Sequence, residues 1–214
     1  MSDPDLRKPD ETAQTSTMTT REKLLHAARE VFAEQGLAHT RISDIAVRSG
    51  VNRERVYGYF GSKEGLFDAV INDALDELAE AVPLTPGEDL VEYVDRVHEF
   101  HRLHPQLLRL LLWEALHYRS EPLPGEEDRR ARYREKVGAL EQSLGAAQGR
   151  LQAAPTLFIL IGLAAWPSVV PQLARLIMGA DTSEDPELMR AHVLSFASAA
   201  LRPEDQAAAA ETKD

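Results

Sequence analysis

The stretch REKLLHAAREVFAEQGLAHTRISDIAVRSGVNRERVYGYFGSKEGLF, residues 21–67, decides the fold of the N-terminal part of the chain. Just before it, Thr19 and Glu22 have the spacing of a helix capping box. Apolar residues then recur at helical intervals along one face, and Gly36 predicts the end of this first helix. The apolar face consists of Leu24, Leu25, Ala28, Val31 and Phe32.

Two short helices joined by a tight turn are predicted next. The first of them runs from about residue 41 to 49, with Thr40 as its N-cap. Gly50 and Val51 form the turn, and Asn52 is expected to cap the following helix. A pair of short helices connected in this way is typical of a helix-turn-helix, in which the second helix enters the major groove of DNA.

The inner and outer faces of this second short helix follow from its residue spacing. At about 100° per residue, Val56 and Phe60 share the inner side, and the outer side is centred near Glu54, Arg55 and Gly58. Arginine can donate to guanine and glutamate can accept from cytosine. The outer face is therefore expected to contact bases, with the backbone at the glycine approaching closely. The flanks carry Tyr57 and Tyr59.

Together, these elements resemble the TetR/AcrR (tetracycline-repressor-type) family of regulators. The shared pattern is A-x-x-x-F, G-x-x-x-T, D-I-A, G-V and Y-x-Y-F-x-S-K-E-x-L-F, and it covers about a fifth of the chain. The resemblance implies an all-α fold, in which an N-terminal three-helix helix-turn-helix DNA-binding domain is joined by a connecting helix to a helical ligand-binding and dimerisation domain.

The resemblance also assigns roles to individual positions. Lys63 matches a phosphate-binding lysine and Tyr57 a DNA-contacting tyrosine, while Gly58 and Tyr59 depart from the residues usual in the family. The predicted DNA-binding set is Thr40, Arg41, Ser43, Asn52, Arg53, Glu54, Arg55, Tyr57, Tyr59 and Lys63.

The rest of the chain is predicted to be helical. The fourth helix follows Ser62 and ends near Pro83, and helical patterns then cover residues 88–103, 105–118, 126–148, 155–166, 168–178 and 186–201. The expected organisation is a disordered tail at 1–18, the DNA-binding domain at 19–65, the ligand-binding and dimerisation domain at 66–202, and a frayed tail at 203–214.

A small-molecule site is expected within the second domain, because the resemblance implies a pocket between its helices. Trp113 lies on a helix that is apolar nearly all round, so it is predicted to be buried. The candidate lining residues are Phe100, Trp113, His117 and Trp166, with ordinary core packing as the alternative for each.

A dimer interface is predicted near the C-terminus. Residues 153–166 are apolar on every face, which is unusual for the surface of a monomer. The last helix is rich in Ala and Ser, which allow close helix packing, so two helices from each subunit would form a four-helix bundle. The predicted interface residues are Leu157, Leu160, Ile161, Leu194 and Ser198.

Metal ligation is not expected, although His98, His101 and His104 follow one another at three-residue steps. Such steps walk around a helix, and the chain contains no cysteine. Glu114 and His117 form a second weak pair. Either His101 or His117 is expected instead to line a cavity or to be satisfied in the core.

The charge distribution agrees with DNA binding although the net charge is −11. Residues 19–63 hold eight basic and five acidic side chains, which gives +3 and leaves −14 for the rest. The absence of cysteine, the polar N-terminus and the shortness of the apolar run 157–165 favour a cytoplasmic protein without a membrane span.

The expected function is therefore a homodimeric repressor that binds a palindromic double-stranded DNA operator and is released by a small-molecule effector, with no enzymatic activity and no cofactor. Two alternatives are a helical protein-interaction adaptor and a small helical enzyme. Nucleophile-elbow, P-loop and dinucleotide-binding glycine patterns are missing from the sequence. Only the regulator should bind specific DNA.

Overall fold

The computed structural model describes residues 18–145, 151–179, 183 and 185–202. The predicted tails lie outside this range apart from Met18. The described residues form ten helices and no strand, which confirms the all-α prediction. The helices are α1 (Thr20–His39), α2 (Ile42–Ser49), α3 (Arg53–Phe60), α4 (Lys63–Ala81), α5 (Leu90–Leu103), α6 (Pro105–Tyr118), α7 (Glu126–Ser143), α8 (Ala153–Val169), α9 (Pro171–Met178) and α10 (Pro186–Leu201).

Contacts divide the chain into two units, residues 1–74 and 75–214. The division lies further along α4 than the boundary at 65/66 that the sequence indicated. The reason is that the first half of α4 belongs to the core of the first unit, where Leu66 and Phe67 are fully buried.

The first unit is built from α1 to α3 and the first part of α4. Thr19 accepts from the Glu22 backbone N–H and the Glu22 carboxylate accepts from the Thr19 N–H, so the predicted capping box is present. Phe32 and Phe67 meet edge to face, with ring centroids 5.1 Å apart. The backbone is non-helical at Gly36 (φ 70°), the predicted stop, although the helix bounds extend three residues further.

The second unit packs α5 mainly against α8 and α10. Its interior is formed by apolar side chains at helical spacing, with Tyr93, Leu107, Leu110 and Leu140 almost fully buried. Among the described residues, no single helix has both the length and the apolar character of a membrane span. The helices α8 and α9 have them only when taken together, and the two are bent by 78° relative to each other.

The bounds of α7, α8 and α9 differ from the prediction, and α9 begins at Pro171 and not at residue 168. The helix α7 ends at Ser143, shortly before Gly145 takes a left-handed conformation (φ 49°), and the predicted end at residue 148 lies outside the described residues. The helix α8 begins at Ala153 and continues through Pro167 to Val169. Its early Pro155 lies in the first turn, where a missing N–H costs little.

Candidate nucleic-acid interface

The turn between α2 and α3 is closed by backbone hydrogen bonds. Gly50 adopts a left-handed conformation (φ 67°), which a glycine takes without a steric penalty. Its N–H donates to the carbonyl of Val47, and the N–H of Val51 donates to that of Ala46. This C-terminal cap turns the chain sharply and fixes where α3 begins.

The helix α3 presents the faces that its spacing predicted. The Asn52 side chain accepts a hydrogen bond of 3.0 Å from the backbone N–H of Arg55, which confirms the predicted cap. Val56 is completely buried and Phe60 partly buried. The exposed residues are Arg53, Glu54, Arg55, Tyr57, Gly58 and Tyr59.

The arginines of this outer face, Arg53 and Arg55, and Arg41 at the start of α2, form no ion pair within the part of the chain that the structure describes. By contrast, the Arg48 guanidinium lies 2.6 Å from the Glu30 carboxylate, which ties α2 to α1. The free arginines are thus available to an external anion, while Arg48 has a structural partner.

The region before α2 differs from the prediction. Arg41 is the N-cap of α2 and makes no side-chain capping bond. Thr40 is buried, and its hydroxyl donates to the carbonyl of Gly36 at 2.7 Å, so the prediction of Thr40 as the N-cap was wrong. Threonine caps the end of α1 instead, because its backbone N–H, at 3.3 Å, and its hydroxyl both donate to the Gly36 carbonyl. Ser43 is half-exposed and its hydroxyl donates to Asp44.

Lys63 lies at the first position of α4 and is partly buried. Its ammonium donates to the carbonyl oxygens of Leu37 at 2.7 Å and Thr40 at 3.3 Å. An ammonium group carries three N–H donors, and these two carbonyl oxygens account for two of them. The sequence does not predict this positioning role, because nothing in the local pattern relates positions 37 and 63.

In the second unit, the four candidate ligand residues do not share one environment. Phe100 is buried, Trp113 is partly exposed, His117 is exposed and Trp166 is 56% exposed. Trp113 is thus not buried as predicted. It lies beside the exposed side of α6, which carries Leu112 and Leu116, so apolar residues of this helix are not all directed into the core. Trp166 lines an open apolar groove between α8 and α10, not an interior pocket.

Buried polar groups of the second unit give a different set of candidates for a ligand site. His98 donates through Nδ1 to the carbonyl of Ala164 at 2.9 Å. His101 is 1% exposed, its Nδ1 finds no partner among the described residues, and burial lowers the pKa of its imidazole to about 4. The ion pair of Glu114 and Arg129, at 2.7 Å, is also buried. No cluster of the described residues has the composition of a metal site.

The residues predicted for the dimer interface fall into two groups. Leu157 and Leu160 are each 3% exposed and pack inside their own unit, so the prediction that they face a second subunit was wrong. Ile161, Leu194 and Ser198 are partly exposed. The outer sides of α8 and α10 carry large exposed apolar side chains instead, namely Phe158, Ile159, Trp166 and Phe196.

Comparison with known proteins gives matches over both units. Residues 24–70 match the family described as bacterial regulatory proteins, tetR family, and residues 89–198 match the tetracyclin repressor-like C-terminal domain. The second match alone spans half of the chain.

Individual relatives agree with this assignment. The chain is 37% identical over 162 residues to the HTH-type transcriptional repressor SCO4008 of Streptomyces coelicolor, covering 75% of this chain and 84% of that protein. It is 30% identical to the HTH-type transcriptional repressor NicS of Pseudomonas putida over 61% of this chain and 64% of that one. The crystal structure of the putative transcriptional regulator SCO4942 from Streptomyces coelicolor superposes with a TM-score of 0.72 at 27% identity, covering 84% of this chain and 97% of the other.

Proposed function

The chain belongs to the tetR family of bacterial regulatory proteins, and from this membership we propose that it is a homodimeric repressor that binds a palindromic operator and releases it when a small molecule binds the second unit. It is a DNA-binding transcriptional regulator of the helix-turn-helix class. A bacterial regulator meets its operator in the cytoplasm, which is where we expect this protein to act.

The observation that carries the proposal is the outer face of α3. Arg53, Glu54 and Arg55 are exposed on it without ion-pair partners among the described residues. The cap at Asn52 and the buried Val56 fix the orientation of this helix. A rigid short helix that presents arginine guanidinium groups as donors and a glutamate carboxylate as an acceptor is suited to contact base edges in the major groove.

Phosphate contacts are proposed for the rim of this face. Tyr57 and Tyr59 are 44% and 51% exposed, so both phenols are accessible. Arg41 is exposed at the start of α2, and the third N–H donor of the Lys63 ammonium is proposed to contact a phosphate. We propose that Thr40 supports this rim from below, since its side chain is buried.

A dimer is proposed because one short helix reads too few bases to find a site in a genome. Two copies place two recognition helices about one helical turn of DNA apart, roughly 34–36 Å, on a palindrome. The exposed Phe158 and Phe196 supply apolar surface for the contact between copies.

The effector site is proposed inside the second unit, where the Nδ1 atom of His101 has no partner among the described residues and the imidazole lies next to the Phe100 ring. A buried polar atom without a partner carries a desolvation penalty that a bound molecule can remove. By linkage, an effector releases DNA only as far as it binds the DNA-free conformation more tightly.

The decisive experiment is selection of binding sites from a random duplex library with the full chain, followed by anisotropy titration of the selected duplex. Arg55→Ala should weaken that duplex by about 1–3 kcal/mol and relax the preference at one base pair. Arg130→Ala removes the same charge from the exposed side of α7 and should leave the affinity unchanged. A library that yields no enriched sequence would contradict the proposal.

A further inference from the structure

The outer face of α3 contains a notch at Gly58. The surrounding concavity has a volume of about 440 Å³ and is lined by Asn52, Glu54, Arg55, Gly58 and Tyr59. Apart from the adjacent residues and the backbone of its own helix, a Cβ atom added at the glycine would meet no described atom within 4 Å. The backbone there is ordinary α-helix, without the positive φ found at Gly50 and Gly61. Neither packing nor backbone geometry within the unit therefore requires glycine at this position.

Glycine is nevertheless unfavourable there. It is the poorest helix former after proline, and α3 has only eight residues over which to offset the cost. A helix that is otherwise capped and anchored carries this weakness at the centre of its exposed face. The space is therefore available to something outside the unit, and the proposed function supplies DNA as that partner.

The groups around the notch indicate which part of DNA enters it. Glu54 lies one helical turn before Gly58 and places a carboxylate on the rim, which repels a phosphate. Gly58 adds no side chain to the lining, and the half-exposed aromatic residue Tyr59 borders the same concavity. In the major groove, the 5-methyl group of thymine is the apolar group that base edges present.

We propose that the notch at Gly58 receives the 5-methyl group of a thymine in each operator half-site, and that Gly58 is a specificity-determining residue. Arg55 and Glu54 then reach the polar edges of the neighbouring base pairs. This inference rests on the proposed function, because it names the chemistry that the same surface reads.

The experiment uses the full chain and a selected duplex in which each thymine of a half-site is replaced in turn by deoxyuridine, which removes only the methyl group. For the unmodified protein, one position should lose about fourfold in affinity, the factor that burial of one methyl group contributes. Gly58→Ala should bind the thymine duplex several-fold more weakly. It should also bind the thymine and uracil duplexes equally, because its own methyl group fills the notch.

Gly138→Ala is the matched control. It adds the same Cβ at a glycine of α7 that also has open space around it and lies in the second unit. Both variants should melt no lower than the unmodified protein, since alanine favours the helix.

Three outcomes would overturn the inference while leaving the proposed function standing. One is a Gly58→Ala variant that binds the thymine duplex at full affinity. Another is that no thymine-to-deoxyuridine replacement lowers the affinity of the unmodified protein, or that such a replacement lowers the affinity of Gly58→Ala by the same factor. The third is an equal loss of affinity in Gly138→Ala. A selection that enriches no sequence would instead contradict the proposed function, and the notch assignment with it.

Discussion

The ammonium group of Lys63 lies 2.7 Å from the carbonyl oxygen of Leu37, a residue 26 positions earlier in the chain. The chain leaves helical geometry at Gly36, so the carbonyls that follow have no helical donors. A lysine at the start of α4 supplies the missing donors and joins the end of α1 to α4. The residue that resemblance assigns to phosphate binding is thus also part of the scaffold.

Lys63→Met should therefore lower the free energy of unfolding by about 1–2 kcal/mol, since charge-assisted hydrogen bonds to two partly buried carbonyls are lost. It should also weaken specific and random DNA by the same factor. Lys23→Met is the control, because it removes a lysine from α1 of the same unit. Urea denaturation and anisotropy measure the two effects, and unchanged stability would show that the contact is energetically neutral.

The buried pair of Glu114 and Arg129 allows a second prediction. Both side chains are 7% exposed. Glu114→Gln removes the carboxylate charge that faces this buried guanidinium, so it should destabilise the protein by about 3 kcal/mol in chemical denaturation. Replacing both residues together, as Glu114→Gln with Arg129→Met, should recover most of that loss. A single variant within about 0.5 kcal/mol of the unmodified protein would refute this reading.

Stability should also depend on pH through His101. Burial lowers the pKa of its imidazole to about 4, and the neighbouring His98 and His104 contribute in the same direction. Because the folded pKa lies below the unfolded value of about 6.5, the unfolded chain binds more protons between pH 6.5 and 4. This contribution to stability is present above about pH 6.5 and is lost as the pH falls.

Between pH 7 and pH 5 the loss from this one group should be about 2 kcal/mol. His101→Gln has no titrating group, so its denaturation midpoint should fall less over the same interval. In the difference between the two proteins, the contributions of the carboxylates and of the remaining histidines to the pH dependence of stability cancel. Parallel pH profiles for the two would mean that His101 titrates normally.

The helix-turn-helix could be predicted closely because its signals are local. The capping pair Thr19 and Glu22, the turn at Gly50 and the cap at Asn52 each act within a few residues of their own position. The division of α3 into a buried and an exposed side followed from the helical period alone, and Val56 is indeed completely buried. The role of Lys63 could not be predicted, because it depends on a contact between distant segments.

The second unit was harder to predict, since α8 is apolar on all sides and its pattern contains no inner face. Leu157 and Phe158 are adjacent and equally apolar in the sequence, yet the first is 3% and the second 77% exposed. Only the packing of α8 against α5 and α7 decides between them. For the same reason Trp166, a candidate for an interior pocket, lies instead in the outer groove.

This division of α8 makes the dimer proposal testable with a matched pair of substitutions. Leu160→Glu places a carboxylate in the core of the unit, where burial without a partner costs several kcal/mol, so that variant should unfold. Phe158→Glu places the same group on the outer side of the same helix. It should leave the fold of each subunit intact and separate the two copies in sedimentation, because a charge facing its symmetry mate would be desolvated at the interface. Phe196→Glu on α10 should behave in the same way, since Phe196 lines the same groove as Phe158.

Both outer variants should lose operator affinity even though residues 18–67 are unchanged, because a single recognition helix keeps only half of the palindrome contacts. Helicity by circular dichroism separates unfolding from dissociation. A Phe158→Glu protein that remains dimeric and binds the operator fully would place the interface elsewhere on the molecule.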